Sequence, residues 1–197
     1  MPRIRNILII AGVALGASAL VPAAPASADT VTKYAHALFR NSDDNVGMDI
    51  DVVKAAGQAT IDVEWQDSHC APVDTTYVCD SVSRTAYDVP VTSFSFSVDG
   101  VTTVTADLAY RELRRHCVFT EETEDCTETD DSGTTTVEVT WTASGKPTRS
   151  EWTDEQGVRH VQTQNATAVA GTGFDLSYGP DDSFGQVTQV RTADPVS

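Results

Sequence analysis

The stretch QATIDVEW, residues 58–65, alternates apolar and polar side chains without interruption. Its apolar residues, which would share one face of an extended chain, are Ala59, Ile61, Val63 and Trp65. Because successive side chains of a strand point to opposite faces, this pattern is typical of a strand with one buried face. We therefore expect β structure here, with the apolar face in a core.

Similar patterns lie on both sides of this stretch. Upstream, VGMDIDV (46–52) alternates in the same way, and KAAGQ (54–58) predicts the turn that joins the two strands. Downstream, SFSFSVDGVTTVTADLAY (93–110) predicts a hairpin. Its turn would be Asp99-Gly100, a dipeptide that favours the positive φ angles of a tight turn.

The remaining segments also favour strands. They are VTKYAHALF (31–39), RELRRH (111–116, as a continuation of the preceding strand), TTTVEVTWTA (134–143), a hairpin over 148–164 that turns at Asp154–Gly157, FDLSY (174–178) and QVTQV (186–190). Roughly ten strands with short turns and no convincing helix call for two packed antiparallel sheets or a sheet closed on itself. We predict a single antiparallel β-sandwich domain over residues 29–197.

The alternation also predicts which side chains form the core. The residues expected to face inward are Ile61, Val63, Trp65, Phe94, Phe96, Leu108, Val137, Val139 and Trp141.

The N-terminal residues have the three parts of a secretory signal peptide. Arg3 and Arg5 form a basic region, an apolar run covers residues 7–21, and Ala26-Ser27-Ala28 is a typical cleavage site. The apolar run is short for a retained membrane anchor. We therefore predict that residues 1–28 are a signal peptide and that the mature protein is secreted and extracellular.

The chain is strongly acidic, with a formal net charge of −16. This charge repels the phosphates of nucleic acid and the surface of anionic membranes. We expect neither as a partner after signal cleavage, and we expect a soluble monomer.

The cysteines occur in two matched stretches, SHCAPVDTTYVCDS (68–81) and RHCVFTEETEDCTE (115–128). An even number of cysteines in an exported chain favours disulfides, and four cysteines allow three pairings. The matched spacing favours Cys70–Cys79 and Cys117–Cys126, each across a hairpin. Structural zinc sites usually have ligand pairs two to four residues apart, so we predict no metal at the cysteines.

Facing cysteines would also fix the register of each hairpin. His69 would then face Asp80, and Arg115 would face Glu128, as exposed ion pairs. A His–Asp pair is also a partial catalytic base, but no nucleophile can be assigned to it from the sequence.

The sequence contains no recognisable catalytic constellation. The motifs G-x-S-x-G, H-E-x-x-H and G-x-G-x-x-G and the P-loop are all missing from it. Glu151, Asp154 and Glu155 cluster near Trp152, as glycosidase carboxylates do beside a sugar-stacking ring, but a predicted turn explains them as solvated acids. We assign no catalytic residue and expect no enzyme activity.

Acidic loops raise the question of calcium, which prefers oxygen ligands. The acidic residues are Glu121, Glu122, Glu124, Asp125, Glu128, Asp130 and Asp131, together with the pairs Asp43-Asp44 and Asp181-Asp182. The segment 41–52 does not match a calcium-binding loop, because its glycine and its last residue are wrong for one. A solvated acidic face is the preferred interpretation, with calcium as the alternative, and no cofactor is expected.

The triplet Asn165-Ala166-Thr167 is interpreted as a chance glycosylation motif.

The N-terminal signal and the strands rich in Ala, Thr and Asp resemble small secreted β-rich proteins of actinobacteria that have no assigned activity. The resemblance extends over the whole chain in general character only. It therefore implies no functional residue.

These features predict a secreted, non-catalytic β-sandwich module. We expect it to contact an extracellular protein or glycan through the clamped hairpin tips, with Tyr77 and Phe119 as candidate contacts. Alternatives are clamps that only resist proteolysis, an extracellular hydrolase with an unrecognised site, and a protease inhibitor. Residues 71–78 and 118–125 contain no Lys or Arg, so an inhibitor would suit a chymotrypsin- or subtilisin-like pocket.

Overall fold

The computed structural model describes residues 29–41 and 45–193, which are almost entirely β structure. The strands are β1 Thr30–Asn41, β2 Val46–Ala55, β3 Gln58–Val73, β4 Thr76–Pro90, β5 Ser93–Ser95, β6 Val101–Phe119, β7 Glu124–Ala143, β8 Thr148–Thr153, β9 Arg159–Gly173, β10 Leu176–Tyr178 and β11 Ser183–Ala193. A short 3-10 turn, Pro180–Asp182, precedes β11. The predicted signal peptide and the pair Asp43-Asp44 lie outside the described residues.

All strand pairs are antiparallel, and the hydrogen-bonded path returns to its starting point. The path runs β1-β2-β3-β4-β6-β7-β9-β11 and back to β1. The short strands β5, β8 and β10 pair at its margins. The predicted antiparallel all-β fold with two disulfide-clamped hairpins is confirmed. The two packed layers expected of a sandwich are parts of one continuous sheet.

The core lies between the inward faces of this sheet. Fully buried residues include Phe39, Met48 and Ile50 from the first hairpin and Trp141 from β7. The predicted inward positions that are buried are Ile61, Val63, Trp65, Leu108, Val137, Val139 and Trp141, while Phe94 and Phe96 are partly buried and pack against the core. No described residues form a helix with the length and apolarity needed to cross a membrane.

The tight turn predicted at Asp99-Gly100 is wrong. Gly100 does not adopt a positive φ, and the strand before it, β5, has only three residues. The reason is a local side-chain contact: the Thr102 hydroxyl accepts from the Ser97 amide and donates to the Ser97 carbonyl, each at 3.0 Å. These bonds satisfy the Ser97 backbone, so the predicted hairpin of β5 with β6 is present but is closed by a longer loop that follows Ser95.

Two long hairpins extend beyond the closed part of the sheet. β2 pairs with β3 only as far as Gln66, and β9 pairs with β7 only from Glu138. Beyond these points β3, β4, β6 and β7 continue as a four-stranded projection, because β4 and β6 remain paired to the tip. We call this projection, residues 67–82 and 113–132, the finger.

Candidate functional site

The four cysteines form a single row across the finger. Cys70 is opposite Cys79, Cys79 is opposite Cys117, and Cys117 is opposite Cys126. The predicted disulfides Cys70–Cys79 and Cys117–Cys126 are both present, with Cα–Cα distances of 4.1 and 4.2 Å. Because the row is continuous, two cross-linked hairpins lie side by side and reinforce the same level of the finger.

The predicted contact residues lie together in the next row towards the tip. Tyr77 and Phe119 are directly opposite each other on β4 and β6, and Pro72 is opposite Tyr77. Each lies two positions from a cysteine of the row, so they share the face of the finger that carries the disulfides. Tyr77 is 47% exposed. The result is a small apolar and aromatic surface beside two cystines.

The strand position of these aromatic residues bears on how they would bind. Tyr77 is paired with Pro72 on one side and Phe119 on the other, and Phe119 is paired with Tyr77 and Glu124. A substrate-like inhibitor loop presents unpaired backbone groups to a protease. β4 and β6 are paired on both sides and have few unpaired backbone groups here, so the arrangement favours contact through the aromatic side chains.

On the opposite face of the finger, the predicted register is confirmed, since His69 lies opposite Asp80, but the ion pair expected between these two residues is replaced by another. Asp80 lies between His69 and His116 in one row, and its Oδ1 is 2.7 Å from Nδ1 of His116. The pairing of β4 with β6 supplies this second histidine, so Asp80 contacts His116 rather than His69. The expected Arg115–Glu128 pair is present at 3.2 Å.

The acidic residues of β7 lie on an edge of the finger, where no strand of the described residues pairs with the side of β7 that faces away from β6. Asp130 accepts two hydrogen bonds of 2.9 Å from Nε of Arg111, and this arginine lowers the pKa of Asp130. Glu124, Asp125 and Asp131 are exposed. Charged side chains on an edge strand discourage pairing with another chain, which gives these acids a structural role without calcium.

A charged network missed by the sequence analysis lies at the base of the finger. Nε of Arg84 donates to Glu112 at 2.7 Å, and Nε of Arg114 donates to its second oxygen at 2.6 Å. The Arg84 guanidinium lies 4.5 Å from the ring centre of Trp65. The hydrogen bond from Arg84 is the main cause that lowers the pKa of Glu112. The signal was available, since Glu112 is in phase with buried Leu108 on an apolar face.

Two of the acids near Trp152, Glu151 and Asp154, are each bonded to a neighbouring side chain. Nε of Arg159 donates to Glu151 at 2.6 Å, and Asp154 is 2.9 Å from Nε2 of His160. The bond from Arg159 is the main cause of the lowered pKa of Glu151, and the bond with His160 is the main cause of the lowered pKa of Asp154. Carboxyl groups with a lowered pKa are poor general acids.

His160 also contacts a hydroxyl group. Its Nδ1 lies 3.2 Å from Oγ1 of Thr192, and its ring stacks on Trp152 with centroids 5.0 Å apart. A histidine between a carboxylate and a hydroxyl has the chemical composition of a catalytic triad. Local patterns do not indicate this grouping, because Thr192 is 32 residues from His160.

Asn165, in the glycosylation triplet, is only 6% exposed. Its amide donates to the carbonyls of Val98 and Gly145, each at 3.0 Å. The side chain is therefore occupied within the fold, in agreement with the interpretation of the triplet as chance.

Comparisons with known proteins identify no relative of this chain: no protein-family model matches it, and no curated protein or solved structure is significantly similar to it. The function of this protein must therefore be inferred from the geometry of the site.

Proposed function

We propose that this protein is a secreted, non-catalytic module that binds an extracellular protein or glycan through Tyr77 and Phe119 at the tip of the finger. The observation that carries the proposal is that these two residues lie opposite each other on β4 and β6, in a projection with two disulfides. Aromatic side chains contribute a large contact area to protein interfaces and also stack on sugars.

The cross-links support binding because they reduce its entropic cost. A segment that is already ordered loses less conformational freedom when a partner binds. Both disulfides lie two positions along the strands from the aromatic pair, on the same face of the finger. They are also consistent with an oxidising compartment, as the predicted signal peptide implies.

The charge around the tip restricts the partner further. Glu121, Glu122, Glu124 and Asp125 are exposed on the β6–β7 turn and the start of β7. A partner with basic groups around an apolar or sugar contact would complement this rim, whereas an acidic partner would be repelled.

The test is a binding assay with matched variants. Purified protein is immobilised and exposed to the culture fluid and the cell-surface polysaccharides of the producing organism, and retained molecules are identified. The double variant Tyr77→Ser/Phe119→Ser should lose the specific ligand. Tyr34→Ser, which removes a tyrosine of similar exposure (40%) on β1, should retain it. Equal retention by the tip variant and the native protein would contradict the proposal.

A hydrolase is the second candidate, favoured by the grouping of Asp154, His160 and Thr192. The side chain of His160 is 19% exposed, which limits access to it. Peptide, ester and glycan substrates should reveal turnover if this grouping is catalytic. Thr192→Val would then abolish the turnover. Thr188→Val would not, because Thr188 lies four positions away on the same face of β11. The binding proposal predicts no turnover in any of these proteins.

A further inference from the structure

A second group of chemically reactive side chains lies on the outer face of β1, β2 and β3, away from the finger tip. His36 is opposite Asp51 in the β1–β2 pair. In the β2–β3 pair, Asp49 is opposite Glu64 and Asp51 is opposite Asp62. One imidazole and four carboxylates therefore occupy adjoining positions of a regular sheet.

Three of these side chains converge on a common point. Nδ1 of His36 lies 3.4 Å from Oδ1 of Asp49 and 3.1 Å from Oδ1 of Asp51. A metal ion bound at about 2.1 Å separates its ligand atoms by about 3.0 Å at right angles and by about 3.4 Å in a tetrahedron. Both separations from Nδ1 therefore suit ligands of one ion, and the three ligand atoms all lie within 4.8 Å of one another.

Asp49 supplies an independent indication of a missing partner. Its side chain as a whole is 45% exposed, but its Oδ1 is shielded from solvent and accepts no hydrogen bond from the described residues. A buried carboxylate oxygen without a donor is costly, and a cation would satisfy it.

The surrounding charges also favour a cation. Glu64 accepts from the Tyr87 hydroxyl and Asp62 from the Asp88 amide, each at 2.6 Å, and both donors are neutral. Among the described residues, no Lys or Arg forms a salt bridge with any of the four carboxylates. Carboxylates directly opposite one another destabilise a sheet, and a bound divalent ion would offset this repulsion.

We infer that His36, Asp49 and Asp51 form a binding site for a first-row divalent metal ion of the zinc class. Imidazole nitrogen favours zinc and its neighbours over calcium, which prefers a larger set of oxygen ligands. A cleft of about 820 Å³, lined in part by Asp49, Glu64 and Gln66, opens beside the site. The cleft leaves room for the remaining ligands of the ion. This inference does not depend on the proposed function of the finger.

The test is calorimetric titration of the purified, untagged protein with Zn²⁺. We expect one saturable site in the native protein. His36→Ala and Asp51→Asn should each weaken binding at least about tenfold, because even loss of a residue that only supports a ligand costs about 10–100-fold in affinity. His116→Ala, which removes another histidine paired with an aspartate, should bind like the native protein.

A second measurement needs no variant, so it holds even if the substituted proteins fold poorly. Zn²⁺ should raise the melting temperature of the native protein, since a ligand of the folded state stabilises it by mass action. Three results would overturn the inference: no saturable binding at millimolar Zn²⁺, equal affinity in the His36→Ala variant, or Ca²⁺ binding as tightly as Zn²⁺, which would indicate carboxylates acting without the imidazole.

Discussion

Arg84 and Glu112 form a charged pair where the finger leaves the closed sheet, with exposed side-chain fractions of only 18% and 7%. Removal of one member of a buried pair leaves the other charge uncompensated and costs about 3–5 kcal/mol. Because Arg114 also contacts Glu112, we expect Glu112→Ala to lose about 3 kcal/mol of unfolding free energy in urea. Asp130→Ala, at an exposed pair, should change the unfolding free energy little. Similar losses for both variants would show that burial of the pair is unimportant.

The same glutamate predicts a pH dependence. The pKa of Glu112 is lowered in the folded protein from its usual 4.5, mainly by Arg84. Its ionised form therefore stabilises the fold above the unfolded pKa, and this stabilisation is lost as the pH falls through the lower, folded pKa. Unfolding free energy measured from about pH 6 to pH 2 should fall less steeply in Glu112→Gln than in the native protein. Parallel curves would contradict this assignment.

Gly185 is required by packing in the core. A Cβ at this position would overlap Cγ2 of Val169 and would lie 2.9 Å from Cδ1 of Trp141. Overpacking of this kind costs about 1–3 kcal/mol, so Gly185→Ala should lower the melting temperature. Gly145→Ala is the matched control, because nothing lies within 4 Å of its Cβ. An unchanged melting temperature for Gly185→Ala would show that the contacts around Trp141 are loose.

At this scale, the sequence predicts apolar positions better than polar ones. Ile61, Val63 and Trp65 are predicted by alternation alone, because the period of a strand decides their face. Glu112 and Arg84 occupy the same kind of inward position, but their burial depends on a partner 28 residues away. Nothing in the local pattern specifies that partner.

At the scale of elements, the finger depends on its cross-links. The double variant Cys117→Ser/Cys126→Ser opens a ten-residue loop, and chain entropy assigns about 2.7 kcal/mol to its closure. The finger is peripheral, so we expect amide exchange to accelerate most at residues 117–126 and least at Val137 and Val139 in the core. Equal acceleration at both places would show that the finger and the core unfold as one unit.

The two hairpins could be predicted, but their association could not. The nine-residue spacing of each cysteine pair fixes the register within a hairpin. The pairing of β4 with β6 is a long-range contact, and it is this pairing that places Tyr77 beside Phe119 and His116 beside Asp80. Local spacing has no information about it, so the aromatic pair and the changed histidine partner required the structure.

At the scale of the whole molecule, alternation predicts strands and turns but not their closure into one sheet. Closure depends on the pairing of β7 with β9, from Glu138 opposite Thr172 to Ala143 opposite Thr167. The first residues of β7, from Glu124 onward, have no partner on that side among the residues that the structure describes, and this creates the finger. Both features follow from strand lengths, and the sequence marks strand ends less clearly than strand faces.

The central claim is that the finger is a rigid projection that presents Tyr77 and Phe119. Backbone ¹⁵N relaxation of the oxidised protein tests it directly, because order parameters report motion on the picosecond-to-nanosecond timescale. We predict values of about 0.85 at residues 70–79 and 117–126, equal to those of Val63 and Val139 in the core. Values below about 0.6 in the finger, beside a rigid core, would contradict the claim. A tip that mobile would still lose conformational entropy on binding, and the two disulfides are proposed to remove that loss before binding.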